Sequence, residues 1–239
     1  TWNISSKKFP TMTPILNHSD LSHFTLPPSP VLRVGITGGI GSGKSYICRQ
    51  LEAAGHPVFY CDNVAKHIIR THPKVQEELR RTVGPEVYDT NGMLVKSVLR
   101  AFLCRGREYA DKVDAIVHPR VAEAFLEEAE QMAADRPQDI PLPAPFSEPH
   151  EKPHPLTVEH LQALPKGRVL FMECALLFET VFDRLVDRSV LIHVSEATQL
   201  SRLMARDHIS EEQARKWMAL QLSEEEKLGR ADFVLDNEH

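Results

Sequence analysis

VLRVGITGGIGSGKS, residues Val31–Ser45, is the stretch from which the rest of the chain is read. Apolar, partly β-branched residues (Val31, Leu32, Val34, Ile36) lead into four glycines within six positions, then Lys44 and Ser45, then the helix-compatible YICRQLEAAG. Gly38, four residues and Gly43-Lys44-Ser45 have the spacing of a phosphate-cradling loop between a strand and a helix. Glycines permit backbone turns that a Cβ forbids. Successive N–H groups then face inward as an anion nest, at the positive end of the following helix. The pattern predicts a nucleoside triphosphate held by Gly38, Gly39, Ile40, Gly41, Ser42, Gly43, Lys44 and Ser45. Lys44 is expected to reach the β- and γ-phosphates and the Ser45 hydroxyl to hold Mg²⁺. Switches, motors and kinases share such a loop, so it leaves the reaction open.

Composition narrows the setting. The 239 residues are 42% apolar and 26% charged, ordinary for one globular domain with room for an insertion. A net charge of −5 supplies no basic field for nucleic acid, so anionic ligands must be met by local arginines and lysines. The cysteines, Cys48, Cys61, Cys104 and Cys174, are scattered without a C-x-x-C pair and are expected to be reduced. No apolar run approaches the roughly 18 residues of a membrane span. With no secretory pattern at the start, the expectation is a cytoplasmic enzyme acting as a monomer or small homo-oligomer.

Residues 1–30 are polar and proline-punctuated and are expected to form a tail. Apolar strand candidates at 32–37, 57–61, 168–173, 189–194 and 231–236 predict a five-stranded parallel sheet covered on both faces, an α/β fold. The helical stretch between the second and third strands, 63–132, is too long for a plain crossover and is expected to be an inserted lobe. Within it Pro119 is expected to open a new helix. Eight of the 17 prolines fall in 133–166, predicting an extended, mobile excursion carrying His150, His154 and His160. The core is then 31–62, 167–200 and 231–239, with a helical pair at 201–230 starting on capping patterns at Ser210 and Ser223.

Ligands in open parallel sheets sit beyond the carboxyl ends of the strands. Those ends carry the loop, Asp62 and Glu173. Glu173 is expected to bind Mg²⁺ through water, or else to act as a capping or solvated acid. Asp62 is placed to take a proton from an acceptor hydroxyl, or else to cap the helix after it. Arg202 and Arg206, four apart on one helix face, are candidates to close over a transferring phosphoryl group as part of a lid.

Beyond the loop, IVHPRV (116–121), ECALLFE (173–179), QLSRLMARDHISEEQARKWMALQ (199–221) and ADFVLDN (231–237) keep their order and spacing. With GITGGIGSGKS and Asp62, the chain resembles the dephospho-CoA kinases from about Val31 to Asn237. The resemblance implies a three-layer P-loop fold with a CoA-binding helical lobe and a lid. It implies ATP-dependent phosphorylation of the ribose 3′-hydroxyl of dephospho-CoA. Asp62 and Lys44 would then be catalytic with Arg202 and Arg206, and His118 and Gln221 would bind substrate. Tyr60 stands where the family usually has a first aspartate, and Glu173 where it usually has aspartate. Another P-loop small-molecule or nucleotide kinase is the alternative. A nucleotide switch fits less well, since no N-K-x-D guanine-reading string occurs.

Overall fold

The computed structural model describes residues 25–134, 141, 143, 146–147, 151–180 and 182–238. The expected tail, for residues 1–24, lies outside the described residues, as does His150. In chain order the first elements are β1 (Leu32–Thr37), α1 (Lys44–Ala53), β2 (Val58–Tyr60), α2 (Cys61–Thr71), α3 (Pro73–Thr82), α4 (Lys96–Leu103) and α5 (Arg107–Ala134). There follow β3 (His154–Leu156), α6 (Val158–Gln162), β4 (Val169–Glu173), β5 (Arg188–His193), α7 (Glu196–Asp207), α8 (Glu211–Met218), α9 (Glu224–Arg230) and β6 (Phe233–Asp236).

All six residues of β1 are buried, as a strand covered on both faces requires. Even Arg33 is buried, and its guanidinium is matched by Asp187 at 3.0 Å and the Pro27 carbonyl at 2.8 Å. The sheet runs in the order β2-β4-β1-β5-β6-β3, and every pairing is parallel. It has six strands where the sequence suggests five. The sixth, β3, comes from the proline-rich stretch and pairs with β6 from His154↔Phe233 to Leu156↔Leu235. Pro155 fits because β3 is an edge strand, where a missing N–H leaves no partner unserved. After β3, Thr157 and His160 form a capping box that starts α6. Leu156, Leu161, Leu164 and the more distant Phe146 join the core against β1 and β6. Described parts of 133–166 are therefore built into the sheet and its cover rather than extended away from them.

Among the described residues the chain divides into two units, those of 25–60 with those of 127–238, and 61–126. In the second unit Val64 and Ile68 of α2, and Val75 and Leu79 of α3, are buried at helical spacing. Pro119 does not open a new helix, because α5 runs through it for 28 residues. An interior proline costs about 3 kcal/mol in a helix. Here Val113, Val117, Val121 and Phe125 continue one buried stripe across it, and burying that stripe offsets the lost hydrogen bond.

Candidate active site

The phosphate loop springs from the middle of the sheet, since β1 lies between β4 and β5. Its turns need glycine at two positions in particular. Gly41 has φ +84°, and a Cβ there would meet the Gln199 carbonyl at 2.7 Å. Gly43 has φ +91°, and a Cβ would collide with the Asn237 side-chain amide. Ser42 N–H donates to the Gly39 carbonyl at 3.0 Å, closing the turn. At the start of α1 the N–H groups of Tyr46 and Ile47 bond back to Gly43. The N–H groups of Lys44 and Ser45 are first-turn donors with no intrahelical partner, and they form the anion-facing end of α1.

Lys44 is buried, and its ammonium donates to the carbonyls of Gly38 at 2.7 Å and Gly39 at 3.3 Å. Burial pushes its pKa below the usual lysine range, and the Glu173 carboxylate is the largest influence opposing that. A phosphate anion arriving beside it acts in the same sense as Glu173 and holds the charge on Lys44. Glu173 ends β4 in register with Ile36 of β1 and Tyr60 of β2, so its carboxylate belongs to the strand tips flanking the loop. The exposed Ser45 hydroxyl and this carboxylate are hard oxygen donors of the kind Mg²⁺ takes together with nucleotide phosphates. Among the described residues no cluster of three or more His, Cys, Asp or Glu could hold a metal without such phosphates. Tyr60 is committed elsewhere, its hydroxyl donating to Glu52 at 2.8 Å, while burial pushes the phenol pKa up.

The 201–230 stretch is helical as expected: after the end of α7, the pair α8 and α9 starts at Ser210 and Ser223. Ser223 and Glu226 cap α9 reciprocally, whereas Ser210 only accepts the Gln213 N–H. Arg202 donates to the carbonyls of Asn237 at 2.9 Å and Glu238 at 3.3 Å, and its guanidinium lies beside Gly43. Arg206 instead forms a two-pronged pair with Asp207, at 3.0 and 2.7 Å, on an exposed surface. Gln221 docks on the loop itself: its Oε1 accepts the Ile40 N–H at 2.8 Å. Of the expected site residues, the loop, Glu173, Arg202 and Gln221 thus come together within the first unit.

Asp62 and His118 belong to the second unit. Asp62 lies in the first turn of α2, not at its cap, and its exposed carboxylate pairs with Lys66 one turn on. His118 faces Asp114 on α5 at 3.4 Å. Nearby in sequence, the buried Arg120 pairs with the half-buried Glu123 at 2.9 Å.

Three residues escaped the sequence reading. Gln199 of α7 is buried beneath the loop, its carboxamide against Gly39 and its carbonyl against Gly41. Asn237 donates to the Ser42 carbonyl at 2.8 Å. Glu179 accepts the Leu222 N–H at 2.9 Å, beside the buried Lys227, whose desolvation it is the largest charge to oppose. Gln199, Asn237 and Glu179 each stand at one end of a segment shared with the family pattern (199–221, 231–237 and 173–179), which is the signal that could have found them.

What this centre supplies is phosphate-facing donors, fixed positive charge and oxygen donors for a hard cation, the requirements of phosphoryl transfer, in which positioning and electrostatics dominate. Fold and site together define a P-loop phosphotransferase. A sequence model of the dephospho-CoA kinases matches residues 32–144 and 153–239, and the chain belongs to that family. The dephospho-CoA kinase of Bacteroides fragilis is 32% identical over 207 residues, covering 87% of this chain and 85% of that protein. That of Geobacillus kaustophilus is 30% identical, covering 86% of this chain and 88% of the relative. Among solved structures, TT1252 from Thermus thermophilus superposes with a TM-score of 0.63 at 28% identity, over 87% of this chain and 90% of the other. Dephospho-CoA kinase from Campylobacter jejuni shares the fold, with a TM-score of 0.56 at 20% identity over 87% and 88% of the two chains.

Proposed function

We propose that this chain transfers the γ-phosphoryl group of ATP to the ribose 3′-hydroxyl of dephospho-CoA, giving CoA and ADP. Membership of the dephospho-CoA kinase family over residues 32–144 and 153–239 carries the acceptor, and the Lys44 ammonium, suspended on the Gly38 and Gly39 carbonyls at the mouth of the nest, supports the donor side, ready to exchange those carbonyls for phosphate oxygens. In the step, the acceptor oxygen bonds to the γ-phosphorus while the bond from that phosphorus to the β-phosphate oxygen breaks. Asp62 takes the hydroxyl proton. Lys44 and Arg202 meet the charge on the phosphoryl oxygens, and Arg206 joins them by leaving Asp207. Ser45 and Glu173 would hold Mg²⁺, which would supply positive charge to the nucleotide phosphates. His118 serves the acceptor, and Gln221 belongs to the substrate contacts. The net charge of −5 supports an enzyme without a nucleic-acid partner. Among the described residues no helix is long and apolar enough to cross a membrane.

The test is coupled ADP release with Mg-ATP, comparing dephospho-CoA with AMP, adenosine and no acceptor. Stimulation by dephospho-CoA alone, with CoA formed, is the expected result. Hydrolysis indifferent to every acceptor would leave only the phosphate loop established.

A further inference from the structure

Gln221 is held in a way that a simple tie between two loops does not require. Ile40 N–H is a donor, so the side-chain atom that meets it at 2.8 Å is the carbonyl oxygen, and the two Nε2 hydrogens are turned elsewhere. The place where this happens is marked by Lys44. Its ammonium, the group that reaches the β- and γ-phosphates, hangs on Gly38 and Gly39, and Ile40 is the next residue along the same rim. Gln221 therefore stands at the β/γ end of the cradle, with its donors uncommitted to Ile40.

The backbone on either side is fixed as well. Gln221 N–H donates to the Met218 carbonyl at 3.1 Å, and Leu222 N–H to Glu179 Oε1 at 2.9 Å. Ser223 then caps α9. Consecutive residues are thus anchored to α8, to the loop after β4 and to α9, which sets the carboxamide before any ligand arrives. A donor prepositioned where charge develops is the arrangement that stabilises a transition state without reorganisation.

We propose that Gln221 is a catalytic residue on the donor side of the reaction: Oε1 holds Ile40 N–H while Nε2 donates to a γ-phosphoryl oxygen of ATP during transfer. The proposal deepens the kinase reading by naming the group of the substrate that Gln221 touches.

The experiment uses the full chain and two probes, MgADP and the non-hydrolysable analogue MgAMP-PNP, titrated by calorimetry against wild type, Gln221→Glu and Gln221→Met. Gln221→Glu keeps an oxygen for Ile40 N–H and replaces both Nε2 donors with an acceptor. The expected result is a Kd for MgADP within about twofold of wild type, with MgAMP-PNP weakened by about tenfold or more and kcat lowered by about a hundredfold. Gln221→Met, which loses both interactions, should weaken MgADP as well as the analogue. If the two nucleotides move together in Gln221→Glu, or neither moves, Gln221 only ties the loop and the proposal is wrong. Should Gln221→Glu fail to fold, a Gln221→Met protein that weakens both probes equally overturns the proposal, and one that weakens the analogue more supports it. Because the nucleotide ratio needs no acceptor, it is read independently of whether dephospho-CoA proves to be the substrate.

Discussion

Asn237 and Ser42 are 195 residues apart in sequence, yet the Asn237 amide donates to the Ser42 carbonyl at 2.8 Å, pinning the phosphate loop to the chain just past β6. Asn237 N–H also donates to the His193 carbonyl at 2.9 Å, so the same residue joins the ends of β5 and β6 to the loop. The loop's shape is therefore imposed from outside as much as by its own glycines.

Gly43→Ala should weaken MgADP binding by about tenfold or more, since it drives a methyl into Asn237 at a positive φ and such strain is worth roughly 1–3 kcal/mol. Asn237→Ala should be milder, releasing the loop without a collision. Calorimetric titration of both variants checks this, and wild-type affinity in Gly43→Ala would contradict the described approach of Asn237.

Lys44→Met and Asp62→Asn should separate phosphate binding from proton transfer. The first removes the charge at the cradle and should lower turnover by about a hundredfold or more while weakening MgADP. The second should lower kcat by about tenfold or more and leave MgADP affinity near wild type. An Asp62→Asn enzyme with unchanged kcat would reduce Asp62 to its ion pair with Lys66.

Leu161→Ala should destabilise the protein by about 2–5 kcal/mol, the usual effect of emptying a fully buried leucine site. Denaturant unfolding measures it. A midpoint equal to wild type would return this stretch to the extended excursion that its prolines suggest.

Glu238 provides a pH dependence with a definite sign. Its carboxylate accepts from Ser195 N–H at 2.7 Å, from Ser195 Oγ at 2.8 Å and from the Thr198 hydroxyl, at the start of α7. These donors hold its pKa down to about 2, below the ordinary 4.5. A folded value below the unfolded one means the contribution is full above about pH 5 and is lost as pH falls toward 2. The melting temperatures of wild type and Glu238→Gln should differ at neutral pH and converge in acid. A gap that stays constant with pH would mean the ionised form has no special role.

Much of the centre was legible because its requirements are local. The nest needs glycines, a lysine and a hydroxyl at fixed offsets within eight residues, and a helix to start directly after them. Arg202 was legible through its place on a helix, but its bonds to Asn237 and Glu238, and the turn of Arg206 toward Asp207, were not. Two arginines on one face look alike until their neighbours are known. Gln199 opens the 199–221 segment, but its packing role was not legible, since a glutamine on an amphipathic helix becomes informative only when a glycine loop packs against it.

By itself the sequence determined the phosphate loop, the parallel strands around it and the helices that follow, because backbone conformation and hydrophobic spacing are written within a few consecutive residues. Tertiary structure decided what is long-range. His-Pro-Leu at 154–156 became a strand because β6 offered it an open edge. The helix α5 passed through Pro119 because burial of one continuous stripe outweighed one missing hydrogen bond. Gln221 was drawn onto Ile40 because the chain on both sides of it is anchored. In each case the deciding partner lies outside the local segment, and only folding brings it near.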